Sequence, residues 1–224
     1  MSSVLLFSCG MDSWVLDKLY KPDVRLFFNI GTENNKLELE HIKRNRDDVT
    51  IVDLPLAQYE QKDHNYFLPL RNLHFVNMAA YYGDIILTGK ECLAFHHDSS
   101  EKFARMSEDI LNYLLEEDVT RKNKIKIVMP FERMTKTDIL REFVRCGGNL
   151  EECYTESISC YSPVNGEECL NCSSCWSKFT AFYNNGYRFS DEMVVKFVRN
   201  VLASNTATSE SVELANKLRK EVGV

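Results

Sequence analysis

The sequence predicts an α/β fold with a doubly wound parallel sheet, followed by a small helical, cysteine-rich subdomain. Two observations support this prediction. Short apolar runs alternate with amphipathic segments along the first 150 residues, and five cysteines crowd the stretch from Cys153 to Cys175, where strand signals are few. We therefore expect an α/β domain over residues 1–148 and a helical subdomain with a helical tail over residues 149–224.

The alternation can be followed segment by segment. Buried strands are expected at 3–7, 24–30, 49–54, 84–87 and 125–128, since these runs are apolar and bounded by turn signals. Helices are expected from about residue 12, and at 36–46, 73–82, 102–115 and 135–145. The tail, 190–224, predicts two further helices around a polar break at 205–209. In such a sheet, ligands bind beyond the carboxyl ends of the strands.

Composition narrows the class of protein. With 224 residues, of which 44% are hydrophobic and 27% charged, the chain can bury a sizeable core and is not disordered. A formal net charge of -6 argues against a basic nucleic-acid-binding surface and favours a small polar substrate. The first apolar run stops at Ser8 and has no basic region before it, so a cytoplasmic protein without membrane contacts is expected.

The residues after the first predicted strand form a candidate phosphate loop. A helix that starts after a strand offers backbone N–H groups and its dipole to a phosphate. Ser8 and Ser13 add hydroxyl donors, and Asp12 could hold Mg²⁺. The ending of a Walker A loop is missing, which excludes an ordinary kinase site, while a simple helix cap is the alternative. The expected nucleotide-binding residues here are Ser8, Cys9, Gly10, Met11, Asp12 and Ser13.

Four of the eight cysteines have the spacing of a metal site. In the pattern C-x8-C-x2-C-x2-C the thiolates can converge on one ion, and four sulfur ligands would complete a structural zinc site. An iron–sulfur cluster is the main alternative. Cys92, Cys146 and Cys153 are expected to be small core residues. The expected ligands are Cys160, Cys169, Cys172 and Cys175.

The phosphate loop resembles the Ser-Gly-Gly-x-Asp-Ser signature of PP-loop ATP pyrophosphatases, which cleave ATP between its α and β phosphates. With three later motifs in the same order, residues 4–186 resemble the 7-cyano-7-deazaguanine synthase family. The later motifs are Leu68-Pro69-Leu70-Arg71-Asn72, Thr135-Lys136-Thr137-Asp138-Ile139, and Ser159-Cys160-Tyr161 with the three cysteines that follow.

This resemblance implies an adenine nucleotide alpha hydrolase-like sheet and an ATP-dependent ligase. Family members adenylate the carboxylate of 7-carboxy-7-deazaguanine, let ammonia displace AMP, and dehydrate the amide to a nitrile. The implied cofactors are ATP, Mg²⁺ and structural Zn²⁺; the implied partners are the deazaguanine and ammonia, with no direct nucleic-acid contact, and a homodimer is a possible assembly. The implied catalytic residues are Asp12, Ser13, Arg71 and Lys136, with Lys136 also on the nucleotide, and the implied substrate-binding residues are Arg71, Asn72, Asp98 and Tyr161.

Two departures from the family pattern keep other functions open. Cys9 replaces a glycine, so either the local φ suits a side chain or phosphate binding is weakened; a helix N-terminus would also lower its pKa. Ser100 stands where the family has an arginine, and His96 and His97 are candidates to compensate. The alternatives are a related enzyme that stops at an amide or couples another amine, and a zinc-stabilised binding protein with a decayed nucleotide site.

Overall fold

The computed structural model describes residues 1–61, 67–90, 97–165 and 167–223. By its contacts the chain forms two compact units, unit 1 over Met1–Arg133 and unit 2 over Met134–Val224. The helix that follows the last strand therefore belongs with the C-terminal helices. The domain boundary after residue 148 stays a prediction.

Unit 1 contains a five-stranded parallel sheet with the strand order β3-β2-β1-β4-β5. This confirms the predicted doubly wound fold. Successive strands are added on one side of β1 and then on the other, so the order reverses between β1 and β4. Loops leaving these two strands diverge at that point and open the crevice in which such folds bind ligands. The strands are β1 (Ser3–Leu6), β2 (Val24–Asn29), β3 (Val49–Asp53), β4 (Ile85–Leu87) and β5 (Lys126–Val128).

Helices cover both faces of the sheet. On one face Val4 shares a buried cluster with Val76 of α3 and Leu111 of α4. Strand alternation sends Leu5 to the opposite face, where it is equally buried, and α1 and α2 pack against β1 and β2. Two 3-10 turns, Ala57–Tyr59 and His97–Ser99, lie in the connections. The helices of unit 1 are α1 (Met11–Tyr20), α2 (Glu33–Asn45), α3 (Arg71–Ala79) and α4 (Glu101–Leu114).

The apolar face that the sequence shows on α4 does not lie in the core. Met106, Ile110 and Leu114 are 60%, 52% and 64% exposed, whereas Ala104 and Leu111 are buried. The helix thus turns the face that carries Ala104 and Leu111 towards the core.

A buried carboxylate ties α1 to the sheet. Asp17 is 4% exposed, and its oxygens accept from Arg25 Nε at 2.6 Å and Arg46 Nη2 at 2.9 Å. Asp48 accepts from Arg46 in turn at 2.7 Å, and the Arg46 guanidinium lies 4.9 Å from the centre of the Phe7 ring. These contacts link α1, β2 and the end of α2, which fixes the direction in which α1 leaves β1.

Unit 2 is helical over its described residues. Its main core lies between α7, α8 and α9, where Phe179 stacks on Phe189 and Phe197 at centroid distances of 4.0 and 4.1 Å. The two predicted tail helices are present on either side of the polar break, and Gly147 at a φ of 87° follows the end of α5 as its sequence predicts. The helices are α5 (Lys136–Arg145), α6 (Leu150–Glu156), α7 (Ser173–Asn184), α8 (Asp191–Leu202) and α9 (Ser209–Val222).

None of the described helices combines the length with the apolar character that a membrane span requires.

Candidate functional site

The loop between β1 and α1 lies at the carboxyl edge of the sheet, where β1 and β4 separate. Ser13 Oγ donates to the Gly10 carbonyl oxygen at 3.0 Å and accepts from the Ser8 N–H at 3.2 Å. Ser8 Oγ lies 3.2 Å from Ser13 Oγ and accepts from the Gly10 N–H at 3.3 Å. None of the described side chains caps α1, and Asp12 is half-buried in its first turn. The two serines therefore close the loop around the uncapped start of a helix.

Cys9 takes the backbone conformation that glycine normally provides. Its φ is 58°, in the left-handed region, and its side chain is only 1% exposed. The thiol is buried. A φ in this region favours glycine, so the expectation that the local φ suits a side chain is wrong, and the backbone is strained at Cys9. Weakened phosphate binding stays a prediction.

The expectation of a lowered pKa for Cys9 is wrong. Burial raises the pKa of Cys9 above its ordinary value, and the negative charge of Glu38 adds to this, while Arg46 acts in the opposite direction. Desolvation of the thiolate outweighs the favourable field of the helix N-terminus.

Gly89 packs directly against the start of α1. A β-carbon at this position would lie 3.1 Å from the Ser13 backbone nitrogen and 3.2 Å from the Asp12 carbonyl carbon. Such contacts with backbone are tighter than almost all that real side chains make. The chain leaving β4 and the first turn of α1 are therefore in contact at the switch point, and only glycine fits between them without movement.

One buried side-chain amide holds the turn after β2 in place. Asn35 is 4% exposed; its Oδ1 accepts from the Ile30 N–H at 2.8 Å, and its Nδ2 donates to the Phe28 carbonyl at 3.0 Å. The same Nδ2 lies 3.4 Å from Glu38 Oε2. Backbone groups at this edge of the sheet are thus held in place, as a site that reads a ligand through main-chain contacts requires.

Glu38, at this edge of the sheet, has a pKa well above the ordinary value for a glutamic acid. Burial raises its pKa to about 8, although the Asn35 hydrogen bond and the positive charge of Arg71 both lower it. Cys9 and Arg71 both interact electrostatically with this one carboxyl group. The phosphate loop, α2 and the start of α3 therefore converge around it.

Three of the predicted substrate-binding residues lie together. Arg71 begins α3 and is exposed, and the Asn72 Nδ2 donates to the Asp98 backbone carbonyl at 3.0 Å. Leu70, just before them, has a φ of 61° and is 61% exposed, a conformation that is strained for leucine. Asn72 thus links the start of α3 to the 3-10 turn that carries Asp98.

Ser100, which replaces the family arginine, caps α4. Its Oγ accepts from the Phe103 N–H at 3.1 Å and donates to the His97 carbonyl at 2.7 Å. Because these bonds use the hydroxyl, Ser100 supplies neither a positive charge nor an uncommitted donor. His96 lies outside the described residues.

Lys136 and Tyr161 belong to unit 2. Lys136 is the first residue of α5 and follows Thr135, whose side chain forms a capping box with Asp138. Hydrogen bonds from Thr135, opposed by burial and helped by Arg141, hold the pKa of Asp138 below its usual range. Tyr161 is 62% exposed next to the cysteine site.

The four predicted ligands form one cluster. The sulfur atoms of Cys160, Cys169, Cys172 and Cys175 all lie within 4.8 Å of one another, with Cys160 and Cys175 buried. A tetrahedral Zn–S distance of about 2.3 Å requires sulfurs roughly 3.8 Å apart, so small movements suffice to hold an ion. This donor set fits a metal such as zinc.

Backbone N–H groups already point at these sulfurs. Cys169 N donates to Cys160 Sγ at 3.2 Å and Asn171 N to Cys169 Sγ at 3.3 Å. Leu170, between these donors, has a φ of 53°, which produces the tight turn. Hydrogen bonds from Cys160 and Cys175 lower the pKa of the Cys172 thiol.

A buried ion pair stabilises the loops that carry the cysteine cluster. Lys178 is 2% exposed, and its Nζ donates to the Ser157 carbonyl at 2.5 Å and to Glu168 Oε2 at 3.0 Å. Glu168 also accepts from the Ser159 N–H. Both loops that carry ligands are thereby attached to α7, so the site is partly organised by the protein itself.

The other cysteines differ from one another. Cys153 is buried, as predicted, whereas Cys146 is exposed at the end of α5. The core position expected for Cys146 is wrong, because the helix ends there and turns the residue to solvent. Cys92 lies outside the described residues.

Gly89, Asn35 and Glu38 carry no motif that sequence reasoning recognises. The only available signal is the Thr88-Gly89 pair directly after a predicted strand, a typical position for a close backbone approach. Asn35 and Glu38 look like ordinary polar residues of an amphipathic helix.

The fold and the cysteine cluster define a doubly wound α/β protein with four clustered cysteines that fit a metal ion. Its sequence matches the family described as queuosine biosynthesis protein QueC over residues 31–186, well over half of the chain. The chain therefore belongs to the QueC family and is an enzyme of queuosine biosynthesis. The matched residues include Arg71, Lys136 and the four cysteines and begin after the phosphate loop.

Several similar proteins are named 7-cyano-7-deazaguanine synthase. The one from Persephonella marina is 25% identical over 218 residues, which cover 83% of this chain and 93% of that protein. The one from Rickettsia prowazekii is 28% identical over 221 residues, covering 82% and 95%. A third, from Sulfurihydrogenibium, is 24% identical and covers 77% and 90%.

Glu38→Gln is expected to stabilise the protein as the pH rises. The folded pKa of about 8 lies above the ordinary value of 4.5, so the unfolded chain releases this proton first. The carboxyl group therefore favours folding less and less between pH 4.5 and 8, and glutamine removes that loss. Melting temperatures of variant and wild type should diverge from pH 5 to pH 8. Glu40→Gln, at an exposed position of the same helix, should show a constant difference; parallel curves for Glu38→Gln would contradict the assignment.

Cys172→Ser is expected to release the metal and weaken unit 2. Metal analysis of the purified wild type should find about one ion per chain, and the variant should lose it. Its melting temperature, followed by the fluorescence of Trp176 in a Trp14→Phe background, should fall by about 10 °C. The exposed Cys146→Ser serves as the control and should match wild type. Equal melting temperatures for Cys172→Ser and wild type would exclude a structural metal at this site.

Proposed function

We propose that this chain is an ATP-dependent ligase that converts 7-carboxy-7-deazaguanine and ammonia into 7-cyano-7-deazaguanine. The observation that carries the proposal is the set of relatives named 7-cyano-7-deazaguanine synthase, which align with this chain over 90% or more of their own length. The phosphate-type loop at the switch point is compatible with the ATP chemistry that this conversion requires.

The proposed reaction has two activation steps. A carboxylate oxygen attacks the α phosphorus of ATP, a P–O bond breaks, and pyrophosphate leaves. Ammonia then attacks the acyl carbon, releasing AMP and a proton and leaving the amide. The amide oxygen attacks the α phosphorus of a second ATP and pyrophosphate leaves again; the C–O bond then breaks, AMP leaves, and both amide protons are lost as the nitrile forms. Each activation turns a poor leaving group into a phosphate ester, so the protein must mainly orient the groups and stabilise phosphate charge.

The residues proposed to hold the polyphosphate are those of the β1–α1 loop. The first turn of α1 offers its backbone N–H groups and Ser8 its hydroxyl, while Ser13, whose hydroxyl donates to a backbone carbonyl, shapes the loop against which Gly89 packs. The Asp12 carboxylate is proposed to hold Mg²⁺, which when bound neutralises phosphate charge. Lys136, at the start of α5, is proposed as a further nucleotide-binding residue. These positions include every one of the predicted nucleotide-binding residues, with Cys9 and Met11 contributing backbone.

The proposed substrate contacts come from two parts of the chain. Arg71 offers an exposed guanidinium that suits a carboxylate, and Asn72 fixes the turn that presents Asp98. Tyr161 offers an exposed ring next to the metal centre, which suits stacking on a planar base. The metal itself is proposed to be structural zinc, since all four ligands come from the protein.

One observation favours a second candidate. Ser100 is committed to capping α4, so the positive charge that the family places there has no replacement at that position. An enzyme that activates the carboxylate but ends at the amide, or couples another amine, would have less need of that charge.

Turnover with mass spectrometry separates these functions, and Asp12→Ala tests the loop. Wild type incubated with ATP, Mg²⁺, ammonia and 7-carboxy-7-deazaguanine should yield nitrile and AMP, and Asp12→Ala should lose at least about 100-fold in kcat while keeping its melting temperature. Asp47→Ala, an exposed acid away from the loop, is the matched control. An amide end point supports the second candidate, and absence of AMP with any substrate would refute the ligase proposal.

Gly89→Ala is expected to weaken ATP binding. The added β-carbon must push the β4 loop away from the Ser13 nitrogen, which distorts the start of α1 where phosphate would bind. Calorimetric titration with Mg–ATP should show a dissociation constant raised about tenfold, with the secondary structure unchanged by circular dichroism. Wild-type affinity in a folded variant would place the nucleotide elsewhere.

A further inference from the structure

We propose that Glu210, in the C-terminal tail, is a positioning residue for Lys136. This inference rests on the proposed function, in which Lys136 is a nucleotide-binding residue. Glu210 lies in the first turn of α9, and the residues that match the QueC family end at 186. The tail would thus supply a part of the nucleotide site that the family match does not contain.

Glu210 bonds directly to the residue that follows Lys136. Thr137 is 4% exposed, and its hydroxyl donates to Glu210 Oε1. The Asn184 Nδ2, at the end of α7, donates to the same oxygen at 3.1 Å. One carboxylate oxygen therefore joins the starts of α5 and α9 to the end of α7.

The first turn of α5 is held on its other sides as well. Asn185 Nδ2 donates to the Thr137 carbonyl at 3.0 Å, and Thr135 caps the helix through Asp138. The backbone on either side of Lys136 is consequently fixed by named hydrogen bonds. The reach of a lysine ammonium group depends on where its backbone is held, so fixing this backbone limits the positions that the Lys136 side chain can take.

The start of α9 is itself firmly anchored. Ser211 is fully buried, and its Oγ lies 2.9 Å from Thr180 Oγ1 of α7. Leu214 and Leu218 continue the helix into the core shared with α7 and α8. Glu210 therefore projects from a rigid element, which makes it suited to hold another one in place.

The nature of the contact sets the choice of variants. Glu210→Ala removes the acceptor, whereas Glu210→Gln keeps an Oε1 that can accept from both Thr137 and Asn184. Glu213→Ala changes an exposed acid on the next part of α9 and serves as the matched control.

Steady-state kinetics of the full-length protein test the inference. Glu210→Ala should raise the KM for ATP about tenfold while leaving the KM for 7-carboxy-7-deazaguanine and the metal content unchanged. Glu210→Gln should stay within about twofold of wild type, and Glu213→Ala should equal it. Thr137→Val should reproduce the effect of Glu210→Ala, and the double variant should be no worse than either, because both break the same bond.

The outcomes are distinguishable. If wild type neither binds nor cleaves ATP, the proposed function fails and this inference falls with it. If wild type is active but Glu210→Ala behaves like Glu213→Ala, only the inference is overturned. It is also overturned if Glu210→Ala raises both KM values equally, or if glutamine fails to restore the ATP value, since either result indicates a merely structural role.

Discussion

The turn from β1 into α1 depends on one side-chain-bearing residue in the left-handed conformation. At a φ of 58°, Cys9 costs roughly 1–2 kcal/mol relative to an ordinary backbone. Burial of its side chain offsets part of that cost. The bonds between Ser8 and Ser13 and the contact with Gly89 require this turn, and the Asp17 carboxylate fixes the helix that follows it. The β1–α1 turn therefore forms with a cysteine in a conformation that favours glycine.

The sheet was predictable because its strands are buried on both faces. Continuous apolar runs such as 24–30 leave little choice of structure, and the turn residues after them set the ends. The exposure of one apolar face of α4 was not predictable in the same way. The sequence pattern of that face fits a buried surface, and only the packing of the helix on the sheet decides which face is buried. Periodicity identifies a helix but does not orient it when both faces carry apolar residues.

The candidate site also contains features that the sequence predicts and features that it does not. The four cysteines lie close together in sequence, so their spacing alone predicts a common ion. The ion pair that stabilises the cluster cannot be predicted in this way. Lys178 and Glu168 meet only because α7 folds back on the loop before it. Likewise Gly89 contacts α1 from a strand that lies more than 70 residues further along the chain. Such roles arise from the tertiary fold, where a single sequence has no local signal for them.

The end of the family match is not a boundary in the protein. Phe179 and Trp176 of α7 lie within the matched residues, yet they are covered by Phe197 and Leu214, which lie beyond them. The packing of α7 therefore depends on the tail. A relative with a shorter or different tail must cover the same aromatic surface by other means. Chimeras that exchange tails between relatives should be cut before α5, so that the four cysteines, α7 and the residues that shield it travel together.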